Sequence, residues 1–168
     1  MDLKEYIRSI PDYPKKGILF RDITTLIKNE KAFEETVNQI IERSKKYKVD
    51  KIAAIESRGF VFASAVSYIL KKPFIMLRKK NKLPADVHSI DFELEYGTAT
   101  IEVHKDSINE KDNVLIIDDL IATGGTAEAA AKLVEISKGK VAAFIFVINL
   151  FDLGGCEKLI QKNYEVEN

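Results

Sequence analysis

The 168-residue chain has no tryptophan, only four prolines and a single cysteine, Cys156. One cysteine excludes an intramolecular disulfide and a zinc site built from several cysteines. We therefore predict that Cys156 is a buried or bystander thiol. A chain of this length can bury enough apolar surface to fold without disulfide or metal staples.

The sequence also lacks an excess of charge and a long apolar run. Lys plus Arg and Asp plus Glu both total 26, so nothing global favours nucleic acid or an anionic membrane as a partner. No stretch approaches the apolar length that spans a bilayer, and the N-terminus does not have the pattern of a secretory signal. We expect one cytoplasmic domain over residues 1–168, with no nucleic-acid or membrane partner.

The spacing of apolar residues predicts alternating strands and helices. Residues 29–50 place Phe33, Val37, Ile40 and Ile41 at the spacing of an amphipathic helix. A short buried strand over 51–57, a helix over 58–72 and a second strand over 73–80 follow. This order is typical of a parallel unit whose functional loops lie at the carboxyl ends of the strands.

Residues 91–104 have a different pattern, in which apolar and polar side chains alternate and Gly97 interrupts the run. Alternation of this kind predicts an antiparallel hairpin with one solvated face. Residues 113–119 and 141–150 are nearly continuous apolar runs, as in central strands covered on both faces. With a helix predicted over 126–140, the fold class is α/β, a central mostly parallel sheet flanked by helices.

The stretch "NVLIIDDLIATGGTAEAAAKLVE", residues 113–135, places Asp118 and Asp119 between a strand and a Thr/Gly-rich loop. A loop that leads into a helix N-terminus binds phosphate well, because free backbone N–H groups and the helix dipole point at the ligand. Carboxylates beside a phosphate repel it unless something lies between them. A ribose fits, since its two vicinal hydroxyls donate to the carboxylates while its 5'-phosphate enters the loop. The predicted loop residues are Ala122, Thr123, Gly124, Gly125 and Thr126.

The alternative for this stretch is a surface turn with solvated aspartates. Two other phosphate-binding motifs are excluded, because the loop matches neither a Walker sequence nor G-x-G-x-x-G.

Two further segments could bind a second anion. One is the strand-to-helix corner "ESRGF", with Ser57, Arg58 and Gly59. The other is a cluster of cations that repel one another unless they are solvated or given an anion. Its members are Arg78, Lys79, Lys80 and Lys82. The alternative for the cluster is a solvated surface loop.

The motif "VLIIDDLIATGGTAEAA" resembles the site for 5-phosphoribosyl-1-pyrophosphate (PRPP) in the type I phosphoribosyltransferase family. "DYPKKGILFRDIT", "ESRGF", "RKKNKLPADV" and "FELEYGTATIEVHKD" extend the resemblance, over nearly the whole chain, to the adenine phosphoribosyltransferases. The resemblance implies a type I phosphoribosyltransferase fold with an N-terminal hood (about 1–28), a core (about 29–168) and a flexible antiparallel hairpin loop over the active site. The implied reaction is purine salvage, in which adenine N9 attacks C1 of PRPP to give AMP and pyrophosphate.

The resemblance also implies roles for individual residues. Asp118, Asp119 and residues 122–126 would bind the ribose and 5'-phosphate. In the family a strained peptide, often a non-proline cis peptide, presents a backbone N–H at the corner that corresponds to Ser57 and Arg58. The pyrophosphate residues would be Ser57, Arg58, Gly59, Arg78, Lys79, Lys82 and Tyr96. The adenine-binding residues would be Leu19, Phe20 and Arg21.

The implied catalytic residue is Glu95, a carboxyl group that hydrogen-bonds or protonates adenine N7. Periodicity alone would make Glu93 and Glu95 solvated residues of a hairpin strand. Magnesium would be bound with PRPP and not directly by protein ligands. The family also implies a homodimer.

Two other functions are open. A related enzyme for xanthine, hypoxanthine, guanine or orotate would share the PRPP site, although Leu120 after the acidic pair favours adenine. A regulator that senses PRPP or purines would be expected to carry a DNA-binding domain or a basic face. Asn81 and Ala85 replace glycines that are common in the family, which affects the expected closure of the loop.

Overall fold

The computed structural model describes residues 1–94 and 97–168, which form two compact units, Met1–Glu42 and Arg43–Asn168. Within these residues, no helix combines the length and apolarity that crossing a bilayer requires. Glu95 and Tyr96 lie outside the described residues, so the predictions that concern them stay predictions.

The first unit is built on a short antiparallel ladder. A 3-10 helix (Leu3–Tyr6) precedes β1 (Arg8–Pro11) and β2 (Leu19–Asp22), which pair from Arg8↔Asp22 to Pro11↔Leu19. Asp22 Oδ1 accepts from the Thr24 backbone N–H at 2.9 Å, and Oδ2 lies 2.6 Å from Arg8 Nη2. These hydrogen bonds, from Thr24 first and Arg8 second, lower the pKa of Asp22 to about 2. Asp22 thus closes the ladder and starts α1 (Thr24–Ile27).

The predicted amphipathic helix is present as α2 (Glu30–Ser44). Asn29 caps it, because its Oδ1 accepts from the Ala32 backbone N–H at 3.0 Å. Val37 and Ile40 are buried, and Phe33 is half-buried, so the apolar stripe faces inward as its spacing predicted.

Seven strands of the second unit form one sheet in the order β5-β6-β4-β3-β7-β8-β9. The strands are β3 (Lys51–Ile55), β4 (Phe74–Lys79), β5 (Val87–Glu93), β6 (Thr98–His104), β7 (Asn113–Ile121), β8 (Lys140–Asn149) and β9 (Val166–Glu167). Strands β4, β3, β7, β8 and β9 pair in parallel, whereas β6 pairs antiparallel with both β4 and β5. The mostly parallel sheet with an antiparallel hairpin is therefore confirmed.

Three helices connect these strands: α3 (Arg58–Leu70), α4 (Gly125–Ile136) and α5 (Gly155–Gln161). One face of α4, which includes Ala127, Ala130 and Val134, is buried in the main core. The rings of Phe144 and Phe146 on β8 stack in the same core with their centroids 5.8 Å apart. The core thus fixes α4, and with it the loop that precedes α4, against the sheet.

Three details differ from the sequence-based expectations. Strand β7 continues two residues beyond the acidic pair, because β8 is long enough for Leu120 to pair with Ile148 and Ile121 with Asn149. The hairpin starts at Val87 rather than at residue 91. Residues 151–168 form a 3-10 helix (Phe151–Leu153), α5 and β9, none of which was predicted.

Candidate active site

The two motifs predicted to bind anions meet at one edge of the sheet. Strands β3 and β7 are adjacent and parallel, with Ala54 opposite Ile117, so their carboxyl ends lie side by side. A cleft of about 340 Å³ opens between them. The predicted site residues that line it are Ser57, Arg58, Asp118, Asp119, Ala122, Thr123, Gly124, Gly125 and Thr126.

Arg58 and Asp119 join the two sides of this cleft. Arg58 is the first residue of α3, and its Nε donates to Asp119 Oδ2 at 2.5 Å, while its Nη2 contacts the same oxygen. The Asp119 side chain is only 8% exposed, whereas that of Arg58 is 34% exposed. The cation predicted to bind pyrophosphate is therefore paired with a carboxylate predicted to bind ribose.

Asp118 has a different environment from its neighbour. Its Oδ1 accepts from the Asp119 backbone N–H at 2.9 Å. Burial, followed by the nearby Asp119 carboxylate, raises the pKa of Asp118 well above its ordinary value, and Arg58 offsets only part of this effect. The acidic pair thus consists of one carboxylate paired with arginine and one that resists ionisation.

Gly59 lets α3 approach β7 closely. A Cβ at this position would lie 2.7 Å from Asp118 Oδ1 and 3.2 Å from the Ile117 carbonyl oxygen. The absence of a side chain at Gly59 therefore serves the contact with the acidic strand. Its predicted contact with pyrophosphate stays a prediction. The peptide bond between Glu56 and Ser57 is cis, at the corner where the resemblance implied a non-proline cis peptide.

The Thr/Gly-rich segment forms a turn between β7 and α4. Gly124 has φ of +87°, in the left-handed region that favours glycine. The turn leads directly into α4, a twelve-residue helix whose first three residues, 125–127, line the cleft. The N–H groups of a first helical turn have no partner within the helix and lie at the positive end of its dipole. The geometry of an anion-binding strand-to-helix turn is thus present at residues 122–126.

The three lysines of the basic cluster line a second cleft of about 580 Å³. Lys79, Lys80 and Lys82 lie on its wall with apolar side chains of the hairpin, among them Phe92 and Leu94. This cleft shares Ile55, Glu56 and Thr126 with the first one, so the two are contiguous. The predicted cations Lys79 and Lys82 therefore lie beside the acidic pair and the turn.

Arg78 is placed differently from the lysines that follow it. It is not among the described residues that line either cleft, and its Nη2 is 3.3 Å from Glu56 Oε2. Glu56 also accepts from the Lys79 backbone N–H at 2.5 Å. Burial alone would raise the pKa of Glu56, but the hydrogen bonds from Lys79 and Arg78 lower it overall. Glu56 thus ties the corner after β3 to the end of β4.

Glu102, a buried carboxylate on β6, organises the lysine loop, residues 80–86 between β4 and β5. It is 6% exposed and accepts from Ser89 Oγ at 2.6 Å and from the Asn81 backbone N–H at 2.7 Å. The hydrogen bonds from Ser89 and Asn81 lower its pKa. Asn81 has φ of +66°, which explains how it replaces glycine, since asparagine tolerates the left-handed region. Ala85, the other departure, donates its N–H to His104 Nε2 at 3.2 Å.

The predicted adenine-binding residues lie on β2 of the first unit. Phe20 packs edge-to-face with Tyr13, with ring centroids 5.1 Å apart, and Arg21 Nη1 donates to Ser9 Oγ at 2.5 Å. Both side chains are half-buried and Leu19 is exposed. Their role in adenine binding stays a prediction.

Comparison with known proteins identifies the family. The model of the phosphoribosyl transferase domain matches residues 23–166. The adenine phosphoribosyltransferase of Pelagibacter ubique is 82% identical over 168 residues, which is 100% of this chain and 96% of that protein. The chain belongs to the adenine phosphoribosyltransferase family.

Solved adenine phosphoribosyltransferases confirm the type I fold. The crystal structure from Thermoanaerobacter pseudethanolicus is 46% identical, with a TM-score of 0.94 over 98% of this chain and 95% of that one. The enzyme from Saccharomyces cerevisiae, crystallised with adenine and D-2,5-dideoxy-2,5-imino-altritol 1,6-bisphosphate, is 36% identical. Its TM-score is 0.90 over 98% of this chain and 94% of that one.

Sequence patterns missed three residues that line the clefts or hold the segments beside them. Glu56 and Glu102 carry no local signal, because their partners are 22 to 23 and 13 to 21 residues away along the chain. Phe146 lines the first cleft because it pairs with Asp118 in the sheet register, which requires the strand order.

Proposed function

We propose that this protein transfers the 5-phosphoribosyl group of PRPP to adenine N9, giving AMP and pyrophosphate. The main support is the single cleft that brings the acidic pair, the turn before α4 and the corner after β3 together. The yeast relative was crystallised with adenine and a bisphosphorylated sugar analogue, which are the two kinds of ligand that this reaction requires.

The ribose 5-phosphate moiety is assigned to β7 and the turn that follows it. Residues 122–126 would bind the 5'-phosphate with backbone N–H groups and with the hydroxyls of Thr123 and Thr126. Asp118 and Asp119 would accept hydrogen bonds from the ribose hydroxyls. The negative charge of Asp119 also stabilises the positive charge that develops at C1 in an oxocarbenium-like transition state.

The pyrophosphate is assigned to the basic side of the clefts. Arg58, Lys79 and Lys82 supply cations there, and Ser57 and Gly59 supply the corner after β3. Because Arg58 is paired with Asp119, PRPP would separate them, leaving Asp119 for the ribose and Arg58 for the leaving group. Arg78 and Tyr96 complete the proposed set.

The adenine base is assigned to the residues that the resemblance to the adenine phosphoribosyltransferases implies. Leu19, Phe20 and Arg21 would bind adenine. Glu95 would donate a hydrogen bond or a proton to N7, which favours attack by N9. This step requires that Glu95 keeps its proton in the closed complex.

Magnesium bound with PRPP is part of the proposal. The cleft carboxylates are already engaged: Asp118 by a backbone N–H, Asp119 by Arg58, and Glu56 by Lys79 and Arg78. Such a donor set fits a hard cation that takes its ligands mainly from substrate oxygens and water. When bound, magnesium would neutralise the charge of the departing pyrophosphate.

One assay tests the proposed reaction. The protein is incubated with PRPP, magnesium and adenine, hypoxanthine, guanine or xanthine in turn, and pyrophosphate release is followed. We expect turnover with adenine and much slower release with the other bases. Turnover with a 6-oxopurine alone would transfer the proposal to that base, and no release with any of the four bases would leave an orotate enzyme or the regulator.

We also propose that the enzyme is a cytoplasmic homodimer and that residues 1–28 form its N-terminal hood. Support for the dimer comes from apolar side chains that the chain leaves uncovered. Met76 is 43% exposed although β4 has a neighbour on each side, and Tyr68 and Ile69 on α3 are 85% and 52% exposed. Light scattering should give a dimer mass, and Ile69→Glu should lower it.

A further inference from the structure

The N-terminus of α5 packs directly against the turn that we assign to the 5'-phosphate. The Gly155 N–H donates to the Ala122 carbonyl oxygen at 3.1 Å. A Cβ at Gly155 would lie 2.4 Å from that oxygen, 2.7 Å from Ile121 Cγ1 and 2.9 Å from the Gly124 backbone nitrogen. Two of these three atoms are backbone atoms, which cannot move aside without moving the turn itself.

The contact is reciprocal, since a Cβ at Gly124 would lie 3.1 Å from the Gly155 carbonyl oxygen and 3.2 Å from its Cα. The backbones of Gly124 and Gly155 are therefore in contact, with no side chain between them. The position of the turn is set by α5 on one side and by β7 and α4 on the other.

Helix α5 is itself held firmly. Cys156 and Leu159 are buried in the main core. Lys158 Nζ lies 3.0 Å from Glu128 Oε2, and Lys162 contacts Oε1 of the same carboxylate, which lies in the first turn of α4. The pKa of Glu128 is lowered to about 2 by Lys162 and then Lys158. These contacts join α5 to the helix whose N-terminus faces the cleft.

We propose that Gly155 is a positioning residue for the 5'-phosphate. It allows α5 to support the backbone of residues 122–124 from behind and so holds their N–H groups where the phosphate binds. This inference rests on the proposed role of residues 122–126.

The direct test is Gly155→Ala. Moving the Ala122 oxygen from 2.4 Å to an ordinary contact requires a shift of about 1 Å, and displacements of that size can cost about 100-fold in an enzyme. We expect the KM for PRPP to rise about tenfold or more, with the KM for adenine within about twofold of wild type. The 5'-phosphate does not react, so kcat should fall less than the KM rises.

Two glycines serve as matched controls. Gly139→Ala also creates a clash, with Ile108 Cγ2 at 2.7 Å and Val134 Cγ1 at 3.2 Å, but at the far end of α4. It should lower the Tm and leave the KM for PRPP unchanged. Gly154 has no atom within 4 Å of its Cβ position and has φ of +70°, so Gly154→Asn should change neither quantity strongly. A folded Gly155→Ala variant with an unchanged KM for PRPP would overturn the proposal.

A second comparison applies if Gly155→Ala does not fold. Lys158→Ala/Lys162→Ala removes the two ion pairs that join α5 to Glu128 of α4. Lys132→Ala/Lys138→Ala removes two exposed lysines, of which Lys132 pairs with Glu128 within α4, and does not detach α5. We expect the KM for PRPP to rise about threefold in the first pair and to stay near wild type in the second. Equal values in the two variants would overturn the proposal.

The role of the turn itself is checked separately with Thr123→Ala. If this variant binds PRPP normally, the 5'-phosphate assignment is wrong. If it binds PRPP weakly while Gly155→Ala does not, the assignment stands and the positioning role of Gly155 is wrong.

Discussion

Removing the carboxylate of Asp119 should strengthen the binding of pyrophosphate and weaken the binding of AMP. In Asp119→Asn, Arg58 loses the partner that its Nε and Nη2 both contact. Arg58 becomes more available for pyrophosphate, and a negative charge leaves the cleft. The same substitution removes an anionic acceptor from the ribose, so AMP should bind more weakly.

The size of the first effect follows from the burial of the pair. An exposed ion pair contributes about 0 to 1 kcal/mol, and breaking a buried one costs about 3 to 5 kcal/mol. Asp119 is 8% exposed but Arg58 is 34% exposed, so solvent screens the arginine side of the pair. We therefore assign about 1 kcal/mol to the release of Arg58 from Asp119, which corresponds to a gain of about fivefold in pyrophosphate affinity. A hydrogen bond to a charged group contributes about 1.5 to 3 kcal/mol, so AMP affinity should fall about tenfold or more.

Isothermal titration calorimetry of pyrophosphate and AMP, with magnesium present, measures both effects. Asp112→Asn is the matched control, because Asp112 lies 2.9 Å from Lys51 Nζ with similar burial but precedes β7, at the opposite end from the cleft. Its affinities should equal those of wild type. Unchanged or weaker pyrophosphate binding in Asp119→Asn would refute the competition between ligand and carboxylate for Arg58.

Three further substitutions test other parts of the site. Glu95→Gln should lower turnover more than it weakens PRPP binding, and full activity in single-turnover assays would exclude Glu95 as the acid. Glu102→Gln should raise the KM for PRPP severalfold by releasing Asn81 and the lysine loop, and an unchanged KM would contradict that role. Because Lys162 helps to lower the folded pKa of Glu128 to about 2, Glu128 should stabilise the fold above pH 4.5 and lose this effect as the pH falls towards 2. Urea denaturation of wild type and Glu128→Gln should therefore converge at low pH, and a constant difference would contradict the shift.

The sequence predicted the elements whose patterns are local. Helix α2 follows from the spacing of Val37 and Ile40, and β7 from its apolar run. The turn after the acidic pair was predictable because glycine and threonine ahead of a helix have a direct physical use. The sequence predicted only that Arg58 and Asp119 lie at the same edge of the sheet, because the carboxyl ends of parallel strands meet there.

What the sequence could not predict depends on partners far along the chain. The ion pair between Arg58 and Asp119 spans 61 residues, and neither residue type specifies the other. Helix α5 was missed because "GGCEKLIQK" is short, and the importance of Gly155 is visible only when the turn lies against it. Asn81 stands where glycine is common, and it adopts the left-handed conformation that glycine favours.

The position of β3 between β4 and β7 has a consequence for folding. The site requires β3 to pair with a strand about 20 residues away on one side and with another about 60 residues away on the other. Pairing between distant segments is slow, because chain entropy is lost before any contact compensates for it. The helices can form early, but the cleft exists only after the β3–β7 ladder closes. PRPP therefore binds only after this long-range pairing has formed, and it then stabilises the folded chain by mass action.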